Sequence, residues 1–291
     1  MKKLIKMLKI IARDFALSIG FSGKRNVSHG TIEEIAIFHD NAEEIFSNKQ
    51  SLWAHEQYII ENYFPHSPAK ILDIGCGGGR TTTMLSQMGY KVTGIDLSKN
   101  LIEYAKKNFP DIEFYVMDAS NMTFPDNYFD AALFSFNGLD CVVPVSMRLK
   151  ILREIHRVIR PGGKFYFSSH NIWGKLIPEH KGLYNWAVWG YEWMHILLRQ
   201  LLNFHIFRGY WWYYDIDGWQ LLYSASPYTN LRQFEETGWI PIAVLSRVFD
   251  KSGRCLGFSY ALQEKRNKHD LGWITLNEHH VQYILEKSIP K

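Results

Sequence analysis

The 291-residue sequence predicts an α/β fold built from stacked strand–helix–strand units. Three observations carry that expectation. Short apolar runs alternate with segments of helical period from about residue 70 to residue 170. The first run ends in a glycine-rich turn, Gly75-Cys76-Gly77-Gly78-Gly79. Finally, Asp73, Asp96 and Asp118 recur at or just beyond the ends of successive runs, the edge at which open parallel sheets receive ligands.

Each element follows from local pattern. Lys70–Ile74 (KILDI) reads as a buried strand, Arg80–Met88 as a helix closed by Gly89, and Lys91–Ile95 (KVTGI) as the second strand. Ser98 caps the next helix, whose apolar face is Leu101, Ile102, Ala105 and Phe109, and Pro110 follows its end. Ile112–Met117 alternates as a third strand and Phe129–Phe136 supplies a fourth. Over Ser146–Ile159, Leu149, Leu152, Ile155, Val158 and Ile159 share one helical face. The turn Arg160-Pro161-Gly162-Gly163 stops that helix, and Lys164–Ser168 begins a fifth strand. No further strand is legible until Pro241–Phe249, preceded by a helix at Leu231–Gly238. The last strand lies at Cys255–Leu262 or at His280–Glu286, the latter preferred.

The division expected is a helical N-terminal cover at 1–66, a cofactor-binding core at 67–170, an aromatic-rich helical cap insertion at 171–230, and a C-terminal completion of the sheet at 231–291. A 46% hydrophobic and 15% aromatic composition can bury a sizeable core, which argues against disorder. The net charge of +4 is too small and dispersed to mark a nucleic-acid surface. Three widely spaced cysteines, with no CxxC pair, suggest neither disulfides nor a metal site and fit a cytoplasmic setting. Residues 1–20 form a basic amphipathic helix with Leu4, Leu8, Ile11 and Phe15 on one face. Lys9, Arg13 and Asp14 interrupt any signal-like run, so its alternatives are packing on protein or peripheral membrane contact. No transmembrane helix is expected, because charges interrupt even the most apolar stretch.

The glycine turn concentrates the chemistry. A backbone without Cβ atoms lets a ligand approach closely, and the following helix offers unpaired N–H donors. Counted from Gly75, the third glycine of a dinucleotide fingerprint falls on Arg80, which weakens a nicotinamide cofactor. From Asp73 the pattern is DxGxGxG, placing an acid where a cationic amino-acid tail can sit. Asp96 is placed to accept from a ribose diol. Asp118 is placed to accept from an adenine amino group, with the Ala119 N–H facing a ring nitrogen.

The segments LDIGCGGGR, GIDLS, MDASNMTFPDNYFDAALFSF and LREIHRVIRPGGKFYFSSHN resemble the successive motifs of class I S-adenosylmethionine-dependent methyltransferases, over roughly residues 70–170. The resemblance implies a Rossmann-like, seven-stranded, mostly parallel sheet with helices on both faces and an antiparallel strand at one edge. It implies S-adenosylmethionine as cofactor, with Asp73 facing the methionine amino group, Gly75 and Gly77 the methionyl and ribose portions, and Asp96 the ribose. Asp118 and Ala119 would hold adenine, Phe134 would lie near the methionyl tail, and Cys76 and Leu97 would line the same site.

On the acceptor side the expected residues are His170, Asn137 and Asp140, each following a strand on the cofactor edge, with His170 a natural base for a hydroxyl. Aromatic residues of the insertion, Tyr184, Trp211 and Tyr214, and His39 of the N-terminal cover, are expected to wall the acceptor. A small-molecule acceptor bearing a hydroxyl or amine, such as a natural product or carbohydrate precursor, is the reading reached. After the fourth strand, Asn137-Gly138-Leu139-Asp140 departs from the [DN]PP[YF] loop of exocyclic-amino nucleic-acid methyltransferases, and GGGRT departs from the GGGDG of aminopropyl transferases. A protein that binds S-adenosylmethionine without turnover, or as a partner subunit, is the alternative.

Overall fold

In the computed structural model the described residues are 26–28, 31–40, 51–171, 174, 186, 189–190, 193–194, 210–215, 218–246, 260–261 and 280–289. Residues 1–20, with their expected amphipathic helix, and Tyr184 lie outside them.

The strands of the main sheet are β2 (Lys70–Ile74), β3 (Lys91–Asp96), β4 (Glu113–Val116), β5 (Phe129–Phe134), β6 (Ile159–His170), β9 (Trp239–Ser246), β10 (Tyr260–Ala261) and β11 (His280–Lys287). Their order is β10-β9-β11-β6-β5-β2-β3-β4. The run from β6 to β4 is parallel throughout. β11 is antiparallel to both its neighbours, β6 and β9.

An antiparallel strand does stand at one edge, β10 beside β9, and β11 is a second antiparallel strand, inside the sheet. β11 lies inside the sheet because it is buried on both faces: Val281, Tyr283 and Leu285 enter one core, Ile284 the other with the buried Gln282 beside it. An edge position would leave its backbone unpaired on one side. The preferred final strand forms at His280–Lys287; of the other candidate, Cys255–Leu262, the described residues are Tyr260–Ala261, which pair at the edge beside β9.

The helices are α1 (Ile32–Asp40), α2 (Ala54–Tyr63), α3 (Arg80–Gln87), α4 (Lys99–Asn108), α5 (Val145–Val158) and α6 (Pro227–Glu236). On one face of the sheet, Ile151, Leu152 and Ile155 of α5 and Phe234 of α6 pack on Leu72, Ala132, Phe165 and Phe167. On the other, Ile59 and Ile60 of α2 and Leu85 of α3 pack on Ile71, Ala131, Leu133 and Tyr166. Alternate residues of one strand thus feed opposite cores, the consequence of the two-residue period.

Local signals set several boundaries. Ser98 caps α4 by accepting from Leu101 N–H at 3.1 Å, as expected. α6 begins earlier than its apolar pattern suggested, because Ser226 caps it and Pro227 supplies the first residue. β6 also starts early, at Ile159. The Arg160–Gly163 turn is absorbed into pairing with β5 through a register shift, and a Cβ on Gly163 would lie 2.7 Å from Asp130 O.

The insertion was expected to be helical. Trp186, Trp189, Gly190, Trp193 and Met194 are helical, but β7 (Tyr210–Asp215) and β8 (Gly218–Tyr223) form a hairpin. It joins β1 (Asn26–Ser28) in a separate three-stranded sheet, β1-β8-β7. The hairpin is tied to the main body where Tyr210 Oη accepts from Val145 N–H at 2.5 Å and Gln233 Nε2 donates to Tyr223 Oη at 2.7 Å. No helix among the described residues is long and apolar enough to cross a membrane.

Candidate active site

Because β2, β3, β5 and β6 are parallel, their C-terminal ends share one edge, and β11 enters the sheet at the same edge. The glycine turn after β2 adopts positive φ at Gly75 (64°), Gly77 (55°) and Gly79 (90°). L side chains rarely accept that backbone. A Cβ on Gly75 would also sit 2.7 Å from Cε2 of Phe134, which fills the space between Gly75 and Gly138.

The carboxylates around this turn hold it in shape. Asp96 Oδ2 accepts from Gly77 N–H and its Oδ1 from Ser98 N–H, each at 2.8 Å. Each oxygen keeps a second lone pair, so the diol role expected for Asp96 is chemically open. Asp118, just beyond β4, accepts from Ser120 N–H at 2.7 Å and Ser120 Oγ at 2.8 Å, while Ala119 and Met122 are buried in the apolar cluster against which Leu97 packs.

Asp73 is more deeply placed than a ligand-facing acid needs to be. It is 1% exposed, and its Oδ2 accepts from Thr81 and Thr82 at the start of α3. Burial pushes its pKa up to about 6, against the hydrogen bonds from Thr81 and Thr82 that lower it. Cys76 is buried against Gly94, and burial together with the nearby Asp96 and Asp73 raises its thiol pKa, so it stays a neutral filler.

An ion pair that sequence reading missed ties α2 to the glycine loop. Arg80, the residue that spoiled the dinucleotide fingerprint, donates to both oxygens of Glu56 on α2 at 2.6 and 2.7 Å. The same guanidinium donates to Ser51 O and Ser135 Oγ and lies 4.6 Å from the Trp53 ring centroid. Glu56 has no exposed side chain, and the Arg80 pairing holds its pKa below the usual value despite burial. No local pattern signals a partner 24 residues away.

The acceptor-side residues converge. Asp140, in the short 3₁₀ turn Gly138–Cys141, is fully buried. Its Oδ2 accepts from the His170 backbone N–H at 2.6 Å and faces His170 Nδ1 at 3.0 Å. Its Oδ1 accepts from Arg148 Nη1 at 2.9 Å and Ser169 Oγ at 3.0 Å. Arg148, on α5, is itself fully buried and also donates to Asn230 and Gln233 of α6.

Asn137 follows Phe136, and both have φ of 58°. Two consecutive non-glycine residues in the left-handed region store strain of the kind found at functional sites. The Asn137 N–H donates to Ser168 Oγ at 2.8 Å, and its Nδ2 faces His170 Nε2 at 3.4 Å and His280 Nδ1 at 3.0 Å. His280 was not among the residues expected. Its imidazole reaches the site only because β11 pairs His280 directly with His170.

The remaining expected residues are less closely placed. His39 is half-buried in the last turn of α1, which packs against α4, while Ile35 of α1 joins the apolar cluster containing Ala119 and Leu97. Trp211 and Tyr214 lie on β7, with their side chains outside the described residues. Among the described residues no cluster of His, Cys, Asp or Glu is arranged to hold a metal.

The glycine cradle with carboxylates at the ends of β3 and β4 fits an adenosyl cofactor: the turn takes positive φ at Gly75 and Gly77, and Asp96 and Asp118 stand at the strand ends beyond it. Comparison with known proteins agrees. Residues 72–167 match a methyltransferase domain family. The chain is 34% identical over 116 residues to a demethylmenaquinone methyltransferase of Paenarthrobacter aurescens, covering 38% of this chain and 44% of that one. It is 33% identical over 190 residues to the demethylmenaquinone methyltransferase of Staphylococcus epidermidis, covering 56% of this chain and 76% of that one. An S-adenosylmethionine-dependent methyltransferase from Methanosarcina mazei shares the fold at a TM-score of 0.58 and 20% identity, over 80% of this chain and 98% of that one. With the motifs, the sheet order and a relative matched over three quarters of its length in accord, the chain belongs to the class I S-adenosylmethionine-dependent methyltransferase family.

Proposed function

We propose that this chain transfers the methyl group of S-adenosylmethionine to a hydroxyl or amine of a small molecule, a natural product or carbohydrate precursor, by in-line displacement. One observation carries the reading. On the sheet edge that holds the glycine cradle, a fully buried Asp140 grips both the backbone N–H and Nδ1 of His170. The bound sulfonium supplies a methyl carbon already activated toward attack. By accepting from Nδ1–H, Asp140 leaves Nε2 as the basic nitrogen of His170, and Nε2 takes the proton that the acceptor loses. Arg148 and Ser169 fix Asp140 in turn. The N-terminal cover (1–66) and the insertion (171–230) exclude water, with His39, Tyr184, Trp211 and Tyr214 as acceptor walls. The core (67–170) and its completion (231–291) hold the cofactor edge rigid.

The test is transfer of labelled methyl from S-adenosylmethionine to a panel of phenols, sugar hydroxyls and aromatic amines. A reduced short-chain demethylmenaquinone is included because relatives carry that name. With an accepted compound, His170→Ala is expected to lower kcat by about 100-fold or more, the contribution of a positioned base. Unchanged turnover and pH profile in that variant would remove His170 from the mechanism. Saturable cofactor binding with no product across the panel would favour a non-catalytic holder of S-adenosylmethionine.

A further inference from the structure

We infer that His280 is a positioning residue for the base: it anchors the carboxamide of Asn137 and thereby keeps the Nε2 lone pair of His170 available to the acceptor. The inference rests on His170 being the base proposed above.

The two imidazoles are cross-strand neighbours, His280 on β11 opposite His170 on β6, with ring centroids 4.9 Å apart. Between them stands one carboxamide. Asn137 Nδ2 lies 3.0 Å from His280 Nδ1 and 3.4 Å from His170 Nε2, and only an amide nitrogen, with two hydrogens, can donate to two ring nitrogens at once. In this arrangement both facing nitrogens carry lone pairs. Turned by half a rotation, the amide would present Oδ1 to both rings, and each would need a hydrogen there. His170 already holds one on Nδ1 for Asp140, so it would have to be imidazolium, with no lone pair left to act as a base. The orientation of Asn137 and the readiness of His170 are therefore coupled.

The unequal distances assign the roles. The 3.0 Å contact to His280 is an ordinary hydrogen bond, whereas 3.4 Å to His170 is long. His280 takes the firm bond and fixes the amide. The weak contact at His170 yields to an arriving acceptor. The rest of Asn137 is built to hold this pose: its backbone is strained at φ 58° and tied to Ser168 Oγ, and its Oδ1 is buried with no hydrogen-bond partner. Leaving a buried carbonyl unpaired is costly, and it persists here because both amide hydrogens are engaged on the other side.

The experiment combines kinetics with a spectroscopic signature in the full chain. With the acceptor accepted in the labelled-methyl panel, His280→Phe keeps a ring beside His170 without a lone pair, and is expected to lower kcat roughly fivefold to tenfold, the loss of one hydrogen bond. The KM for S-adenosylmethionine is expected to stay within about twofold, since nothing at the cradle changes. His280→Gln, which restores an acceptor oxygen, should recover most of kcat. Adding Asn137→Leu to His280→Phe should cost much less than Asn137→Leu alone, because the two act as one unit. Equal losses in His280→Phe and His280→Gln, or no loss in His280→Phe while His170→Ala is inactive, would overturn the inference and leave the proposed base standing. Full activity of His170→Ala would remove both. Independently of any variant's folding, long-range imidazole ¹⁵N spectra of the wild-type chain must show His280 Nδ1 without a proton, and a protonated Nδ1 would refute the arrangement.

Discussion

Replacing Arg148 with methionine is expected to be among the most damaging single changes in this chain. The guanidinium has no exposed side chain and sits 4.9 Å from the centroids of both Phe167 and Tyr223. Methionine fills much of that volume, so packing loss is small. What remains is a fully buried Asp140 carboxylate without its counter-charge, and removing one partner of a buried pair costs about 3–5 kcal/mol. Asn230 Oδ1 and Gln233 Oε1 lose their donor as well, at about 1–3 kcal/mol for each acceptor left dry. Some relaxation by water is expected, so the lower end of the sum, about 5 kcal/mol, is the working figure. Against a total of about 5–15 kcal/mol for a native protein, that is a large fraction. Urea unfolding followed by tryptophan fluorescence reads it directly. The double variant Arg148→Met with Asp140→Leu should be less destabilised than Arg148→Met alone, because both charges leave together. A loss below about 1 kcal/mol in Arg148→Met would mean that the buried pair does not organise the site as argued.

Three further outcomes follow from the geometry of the cofactor edge. Asp73 has its pKa raised from 3.8 to about 6 by burial, so the folded state binds the proton more tightly than the unfolded one. Its stabilising contribution is therefore fully present below pH 3.8 and is lost as pH rises through about 6, a change of order 3 kcal/mol. Asp73→Asn, whose side-chain oxygen still accepts from Thr81 and Thr82, should flatten that part of the curve of unfolding free energy against pH, and an unaltered curve would contradict the assignment. Gly75→Ala places a Cβ at positive φ and 2.7 Å from Phe134, so calorimetric titration should show S-adenosylmethionine affinity down by roughly tenfold or more, for a strain of about 1–2 kcal/mol before any clash. Asp96→Ala removes both the acceptor that holds Gly77 N–H and the oxygens available to a ribose. Binding of S-adenosylmethionine and S-adenosylhomocysteine should weaken by at least about tenfold, for two charge-assisted hydrogen bonds, while NAD should not bind either protein.

Elements whose determinants are close in sequence were legible before the fold was known. KILDI and KVTGI are buried strands at the positions that their apolar runs mark, FDAALFSF is one as far as Phe134, and the Ser98 cap and the apolar faces of α4 and α5 fix those helices to within about a residue. Boundaries failed where a local signal competed with periodicity. Ser226-Pro227 starts α6 four residues before the predicted Leu231, and pairing with β5 draws the Arg160–Gly163 turn into β6. Likewise, His170, Asn137 and Asp140 could be proposed from their place after strands, because parallel strands deliver their C-terminal ends to one edge whatever else the chain does.

By itself the sequence determined the parallel core, the glycine cradle and the family, all of which rest on interactions spanning a few residues or one strand–helix unit. Tertiary structure alone decided the rest. His280 stands beside His170 because β11, the last strand among the described residues, is buried on both faces and inserts between β6 and β9, a pairing across 110 residues. Glu56 meets Arg80, and Arg148 meets Asp140, Asn230 and Gln233, because buried charges must find partners wherever the packed elements bring them. Hydrophobic period and turn chemistry are local properties and can be read along the chain. Pairing of buried polar groups is a property of the assembled core, and no spacing in the sequence encodes it.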